Sequence, residues 1–208
     1  QMCIRDSRGF FRFKFWVHCL STKWFAQRVF TVSYDQRQLI HDKLGIPLDK
    51  IGVTYNGWEH MAKVQPDESI FERMPAVKKG EYFYALGSLA GHKNFKWIRE
   101  VARRNPDKTF VVAGGKDLRA FGDDTEAKDT HNVFYPGYVS DAENAALMKH
   151  CRLFLHPAVF EGFGIPPLEA LALGAPIALA KASCLPELYG DTARYFDPYD
   201  YEVDLDAL

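Results

Sequence analysis

The four cysteines, Cys3, Cys19, Cys151 and Cys184, include no CxxC pair. Neither a zinc site nor a disulfide framework is therefore indicated, and a reducing, cytoplasmic setting fits. Long apolar runs are equally scarce. The one candidate, near the amino terminus, is broken by Arg12, Lys14 and His18, so no transmembrane helix and no signal peptide is expected. An excess of charge of either sign is also missing. The net charge is −1 over 208 residues, which gives no global field and no expectation of a nucleic-acid partner. There is no internal repeat and no low-complexity segment.

What the chain does have is an ordinary globular balance, 47% apolar and 25% charged. Its length suits one domain plus a piece of another, long enough for a core without staples. The charge is unevenly spread. Residues 1–28 carry six bases (Arg5, Arg8, Arg12, Lys14, Lys23, Arg28) against Asp6, net +5, and the remainder is net −6. A basic, aromatic opening is compatible with peripheral contact to an anionic membrane surface. The commoner arrangement is the solvated side of a helix docked on a neighbouring domain. The first seven residues, QMCIRDS, show no periodicity and resemble translated adapter sequence; they are set aside.

Val29–Ser33 reads as a short buried strand. Ser33-x-x-Gln36 then fits a capping box, with Leu39, Ile40 and Leu44 as the buried face of a helix closed by Gly45 and Pro47. Ile51–Tyr55 is a second strand, ended by Asn56-Gly57. Residues 58–80 are polar, without a clear period, and read as a linker. From Tyr82 strands and helices alternate. The strands are Tyr82–Leu86, Thr109–Ala113, Val133–Tyr135, Leu153–His156, Ile177–Ala180 and Arg194–Phe196. Asn94 caps a helix bearing Phe95, Ile98 and Ala102. Ser140 and Glu143 form a capping box for a helix through His150, and a helix from Pro166 ends at Gly174. Nearly all-apolar strands alternating with helices predict an α/β fold, a Rossmann-like parallel sheet with helices on both faces. Ligands of such sheets bind beyond the carboxyl ends of the strands.

The residues from Glu161 to Glu169 (EGFGIPPLE) follow one of these strands and open a helix. Gly162 and Gly164 permit close approach of a ligand. Pro166 and Pro167 suit a helix start. The helix end so formed favours a phosphate. Glu169, about one turn in, suits bidentate hydrogen bonding to a ribose diol, and Glu161 suits a sugar. A dinucleotide fingerprint fits poorly, since GxGxxG requires glycine where Pro167 stands.

The stretch FLHPAVFEGFGIPPLEALALGAPI resembles the glutamate–seven–glutamate motif of family 4 retaining glycosyltransferases of the GT-B fold. The resemblance runs over roughly residues 29–198 and takes in FTVSYDQRQLI, VTYNGWEH, YALGSLAGHKNF, VFYPGYVSDAE, SCLPEL and YFDP in the family's order. It implies that Lys93 holds the donor diphosphate, with Ser88 and His92 in the same loop. His92 stands where the family usually has Arg, which weakens a second fixed cation. Gly137, Tyr138 and Val139 match the loop that meets the nucleotide base. Gly162, Phe163, Gly164 and Ile165 line the donor with Glu161 beside the sugar and Glu169 at the ribose. Lys93 and Glu161 are the implied catalytic pair. Ala158 and Cys184 stand where hydroxyl residues are common, and Cys184 reads as packed rather than nucleophilic. Each of these positions also has a plain reading: a turn for Ser88 and 137–139, a solvated lysine for Lys93.

The resemblance implies transfer of a sugar from a nucleoside-diphosphate sugar to an acceptor hydroxyl with retention. The implied acceptor is a sugar or lipid-linked acceptor of the full-length enzyme. No cofactor is expected, and no metal, since no Asp-x-Asp stands near these loops and Asp123-Asp124 reads as a solvated turn. The implied domains are a remnant of the amino-terminal acceptor lobe (1–57), a linker (58–80) and a nucleotide-sugar lobe (81–208) cut short at its carboxyl end. Such a chain binds donor without transferring sugar by itself. Two alternatives stay open: another GT-B enzyme such as a nucleotide-sugar epimerase, and a non-catalytic nucleotide-binding module.

Overall fold

A computed structural model describes residues 9–88, 90–114 and 131–208. The expectations for residues 1–7 and for Asp123-Asp124 lie outside them. The order is α1 (Gly9–Phe25), β1 (Val29–Thr31), α2 (Tyr34–Leu44), β2 (Ile51–Val53), β3 (Tyr82–Leu86), α3 (Phe95–Arg104), β4 (Thr109–Ala113), β5 (Val133–Phe134), α4 (Asp141–Lys149), β6 (Leu153–His156), α5 (Ile165–Ala172), β7 (Ile177–Ala180), α6 (Leu185–Tyr189) and β8 (Arg194–Phe196). Short 3-10 turns occupy Leu48–Lys50, Met61–Lys63, Glu68–Arg73, Gly91–Lys93 and Gly190–Thr192.

β3 to β8 form one parallel sheet in the order β5-β4-β3-β6-β7-β8. The chain starts at the centre, runs to one edge, and returns to build the other half from β6 outward. That is the doubly wound order, with the winding reversed between β3 and β6. β6 and β7 are buried at every position, which explains why they are apolar throughout save for His156 at the end of β6: helices cover both faces, so neither side needs polar residues. α3 turns Phe95, Trp97, Ile98, Val101 and Ala102 into the core. The Trp97 ring stacks on Phe196 at 4.0 Å and its Nε1 donates to Asp200 O at 2.6 Å. α4 begins at the expected capping box, in which the Glu143 amide bonds Ser140 Oγ and Glu143 Oε2 accepts from the Ser140 amide.

Several expectations need adjustment. β1, β2 and β5 are shorter than predicted, ending at Thr31, Val53 and Phe134. Asn94 sits before α3 but does not cap it through its side chain. Its backbone is left-handed (φ 53°) and its Nδ2 donates to Pro198 O instead. Ser33 does cap α2, but Gln36 does not complete the box; its amide reaches Asp35 and Glu161 O. Leu39, Ile40 and Leu44 are only half-buried. Residues 58–80 are polar yet anchored, with Met61 buried and Ile70, Met74 and Val77 part of the main core. Isolated apolar residues on short 3-10 turns and on the bends beside them have no period to betray them.

β1 and β2 make a separate two-stranded parallel pair. α2 lies between that pair and the loop after β6, and its first turn contacts the loop directly through Ser33 and Gln36. Among the described residues no helix is long and apolar enough to cross a membrane.

Candidate functional site: the crevice beyond β3 and β6

The winding reverses between β3 and β6, and the ends of these strands are therefore the place where a sheet of this kind receives its ligand. Two backbones approach closely at these strand ends. Gly114, after β4, has φ 119°, and a Cβ built on it would stand 2.1 Å from Gly87 O. Only glycine fits. Gly114 N in turn bonds Gly137 O at 3.5 Å. The ends of β3, β4 and β5 are thereby drawn together, and with them the loops bearing Ser88, Lys93 and Gly137–Val139.

Lys93 ends the 3-10 turn after β3. Glu161 lies in the loop after β6, whose Val159 amide bonds His92 O at 2.9 Å and fastens the two loops. Lys93 Nζ donates to Glu161 Oε1 at 2.5 Å, and His156 Nε2 lies 2.9 Å from the same oxygen. His156 closes β6 and is 2% exposed. Burial holds its imidazole below the ordinary value of 6.5, against the pull of the Glu161 hydrogen bond and charge. It is thus neutral at pH 7 and presents Nε2–H to the carboxylate. Burial pushes the Glu161 carboxyl upward, but His156 and Lys93 together outweigh it and hold it below 4.5. Glu161 is therefore an anion at neutral pH, suited to receive hydroxyl donors and not to give a proton.

The second cluster stands at α5. Gly164 is its N-cap, left-handed at φ 86°, with its carbonyl held by Tyr189 Oη at 2.5 Å. Prolines at 166 and 167 leave few amides at this helix end, so a phosphate there would meet the Ile165 N–H and the loop backbone rather than a full ring of donors. Glu169 faces His60, with Oε1 2.8 Å from Nε2. Its carboxylate is mostly covered while His60 is half-exposed.

Of the other expected residues, Ser88 is exposed and His92 half-buried. Gly137 is left-handed at φ 77°, Tyr138 is 71% exposed and Val139 is buried. Phe163 is buried with its ring 6.2 Å from Tyr55. Ala158 and Cys184 are fully buried, and burial pushes the Cys184 thiol up to about 12, which fits a packed residue. The structure thus unites Lys93 with Glu161, and pairs Glu169 with His60. Sequence reasoning did not reach His156 or His60. A histidine ending an otherwise apolar strand was a usable signal for the first. His60 lay in a stretch without pattern. Among the described residues no three His, Cys, Asp or Glu side chains converge as a metal site would require.

A doubly wound lobe with charged residues gathered at its switch point is an α/β domain of the class that binds ligands beyond the carboxyl ends of its strands. Likeness to known proteins narrows this. The profile of the family "Glycosyl transferases group 1" matches residues 66–203, and the chain belongs to that family. It is 27% identical over 194 residues to O-antigen chain mannosyltransferase B of Escherichia coli, covering 86% of this chain and 49% of that protein. To O-antigen chain mannosyltransferase RfbU of Salmonella typhimurium it is 28% identical over 181 residues, covering 84% and 48%. The chain therefore spans about half the length of these relatives. Its fold matches Anabaena Alr3699/HepE, solved in complex with UDP-glucose, with a TM-score of 0.76, 18% identity and coverage of 92% of this chain and 55% of that one. It also matches sucrose-phosphate synthase of Thermosynechococcus elongatus, with a TM-score of 0.73, 17% identity and coverage of 91% and 50%. The fold is that of GT-B glycosyltransferases.

Proposed function

We propose that residues 81–208 are the donor-binding lobe of a retaining family 4 glycosyltransferase. It moves a hexose from a nucleoside-diphosphate sugar to an acceptor hydroxyl without a metal or cofactor. The observation that carries this reading is the meeting of Lys93 and Glu161 at the switch point, 68 residues apart in sequence. Lys93 holds the diphosphate and stabilises the charge that grows on it as the glycosidic bond breaks. Glu161, anionic and fixed by His156, faces the sugar. Glu169 takes the ribose, and Gly137–Val139 and the 162–165 backbone enclose the nucleotide. Lys93 and Glu161 pair directly, so a diphosphate bound at Lys93 would compete with Glu161 for the ammonium.

The mannosyltransferase relatives favour a mannose-bearing donor, and a growing glycan or lipid-linked sugar as acceptor. Residues 1–57 belong to the end of an acceptor lobe, and this chain serves as a donor-binding fragment. The setting we propose is cytoplasmic. The exposed Phe13, Trp16, Trp24 and Phe25 of α1, beside Lys14 and Lys23, suit an acceptor lobe or the periphery of an anionic membrane. The test is calorimetry of the purified chain with nucleoside-diphosphate mannose, UDP-glucose and the corresponding free nucleotides. Saturable binding that survives a chelator is expected. Absence of binding to every nucleotide sugar would remove the reading, and conversion of a bound donor without acceptor would replace it with an epimerase.

A further inference from the structure

Glu187 reads as an ordinary surface glutamate on α6, yet both its oxygens are committed far from their own helix. Oε1 accepts from the Tyr34 amide and Oε2 from the Asp35 amide, each at 2.8 Å, across 153 and 152 residues of sequence. These are the first two amides of α2, groups that a helix cannot satisfy from within. A carboxylate at that end is favoured by charge-assisted bonding and by the helix dipole. The third amide, of Gln36, goes to Ser33 Oγ at 3.2 Å.

The same turn of α2 grips the loop that carries Glu161. Ser33 Oγ donates to Gly162 O at 2.8 Å, and Gln36 Nε2 donates to Glu161 O at 3.2 Å. Ser33 is fully buried. Ser183 Oγ joins the two sides, 2.9 Å from Glu161 O and 3.1 Å from Asp35 Oδ2. Glu161 is thus fixed at two places: its carboxylate by His156 and Lys93, and its peptide by a helix from outside the main sheet.

We infer that Glu187 is a positioning residue, seating α2 by its amino-terminal amides so that Ser33 and Gln36 hold the 161–162 peptide and aim the Glu161 carboxylate. Seating of the 29–55 segment on the sheet is then read directly at the donor crevice. This rests on the role proposed above for Glu161, but the test needs no donor. The reporter is His156, which ends β6, an element apart from both α2 and Glu187, and whose Nε2 is bonded to the Glu161 carboxylate.

Nitrogen-15 spectra of the imidazoles, with amide exchange, are compared in the wild type, Glu187→Ala, Glu187→Gln and Gln36→Leu. In Glu187→Ala the Tyr34 and Asp35 amides are expected to exchange roughly tenfold faster or more, the change that follows loss of a charged hydrogen bond. The His156 ring nitrogens are expected to shift in both Glu187→Ala and Gln36→Leu. Glu187→Gln, which keeps one acceptor, should recover part of the wild-type signal. If Glu187→Ala does not fold, Glu187→Gln decides, because it keeps the side chain's size and one of its two acceptors: unmoved His156 signals alongside faster exchange at Tyr34 or Asp35 would overturn the inference. Unmoved His156 signals alongside exchange-labile Tyr34 and Asp35 would overturn the inference: Glu187 would then be a tether alone. Failure of the wild type to bind any nucleotide sugar, by contrast, would count against the donor-site reading and leave these spectra interpretable.

Discussion

At the scale of residues, the site is a set of charges held by specific partners, and each can be removed singly. A hydrogen bond between a charged group and a hydroxyl is worth roughly 1.5–3 kcal/mol. Glu169→Ala should therefore weaken nucleotide binding on the order of 10-fold or more, measured by calorimetry; unchanged affinity in a folded variant would end the ribose assignment. Lys93→Ala should weaken a nucleoside diphosphate far more than the matching nucleoside, since an ammonium at that point addresses phosphate alone. Equal losses for both ligands would contradict it. The pH dependence has a definite sign. His156 is held below its ordinary 6.5 and Glu161 below its ordinary 4.5. The unfolded chain binds more protons at both positions, so stability falls with acidification, first below pH 6.5 through His156 and then below pH 4.5 through Glu161. Urea midpoints between about pH 7 and 5 should decline, and His156→Gln should flatten that decline; an equal slope in the variant would place the titration elsewhere.

At the scale of elements, capping and backbone shape were unevenly legible. The Ser140–Glu143 box was readable because a capping box is local, and Ser140→Ala should cost about 1 kcal/mol with no effect on nucleotide affinity. Gly114→Ala should do more. Its Cβ would collide with the Gly87 carbonyl, prising β4 from the loop that carries Lys93, and both thermal stability and nucleotide affinity should drop together. Retained affinity in Gly114→Ala would show that the loop closes without that approach. Asn94 and Gln36 carry the opposite lesson. Each has the residue type of a cap or box, and each spends its amide on a carbonyl distant in sequence, at Pro198 and Glu161. Local hydrogen bonding competes with tertiary partners that a sequence pattern does not contain.

At the scale of the whole molecule, the chain is expected to bind donor and not to transfer sugar alone. The groups proposed to bind donor, from Ser88 to Glu169, all stand on loops of one sheet or on the helix that follows one of them, whereas the described elements before that sheet are α1, α2, a two-stranded pair and short turns. Holding two reactants in near-attack geometry is worth roughly 7–11 kcal/mol in well-oriented systems, and those few elements offer an acceptor no opposing lobe. Mass spectrometry of incubations with the best-binding donor and a range of sugar and lipid acceptors should show slow hydrolysis at most; efficient stereoretentive transfer would show that the acceptor site is already present. The exposed aromatic residues of α1 should also promote self-association, visible as a concentration-dependent mass in light scattering.

Periodicity and turn chemistry sufficed for the doubly wound class, for the six strands of the main sheet to within a residue of their observed limits, and for placing Lys93, Glu161 and Glu169 in or just beyond loops after strands. These are consequences of nearest neighbours along the chain: an apolar run, a glycine before a proline, a cap three residues from its partner. The order β5-β4-β3-β6-β7-β8, the sharing of Glu161 Oε1 by Lys93 and His156, the pairing of His60 with Glu169 and the clamp of Glu187 on α2 were decided only in three dimensions. Each joins groups brought together by the packing of helices on a sheet, and the partner of a buried charge is chosen by that packing, because in a site shielded from water an unpaired carboxylate costs more than any local preference can return.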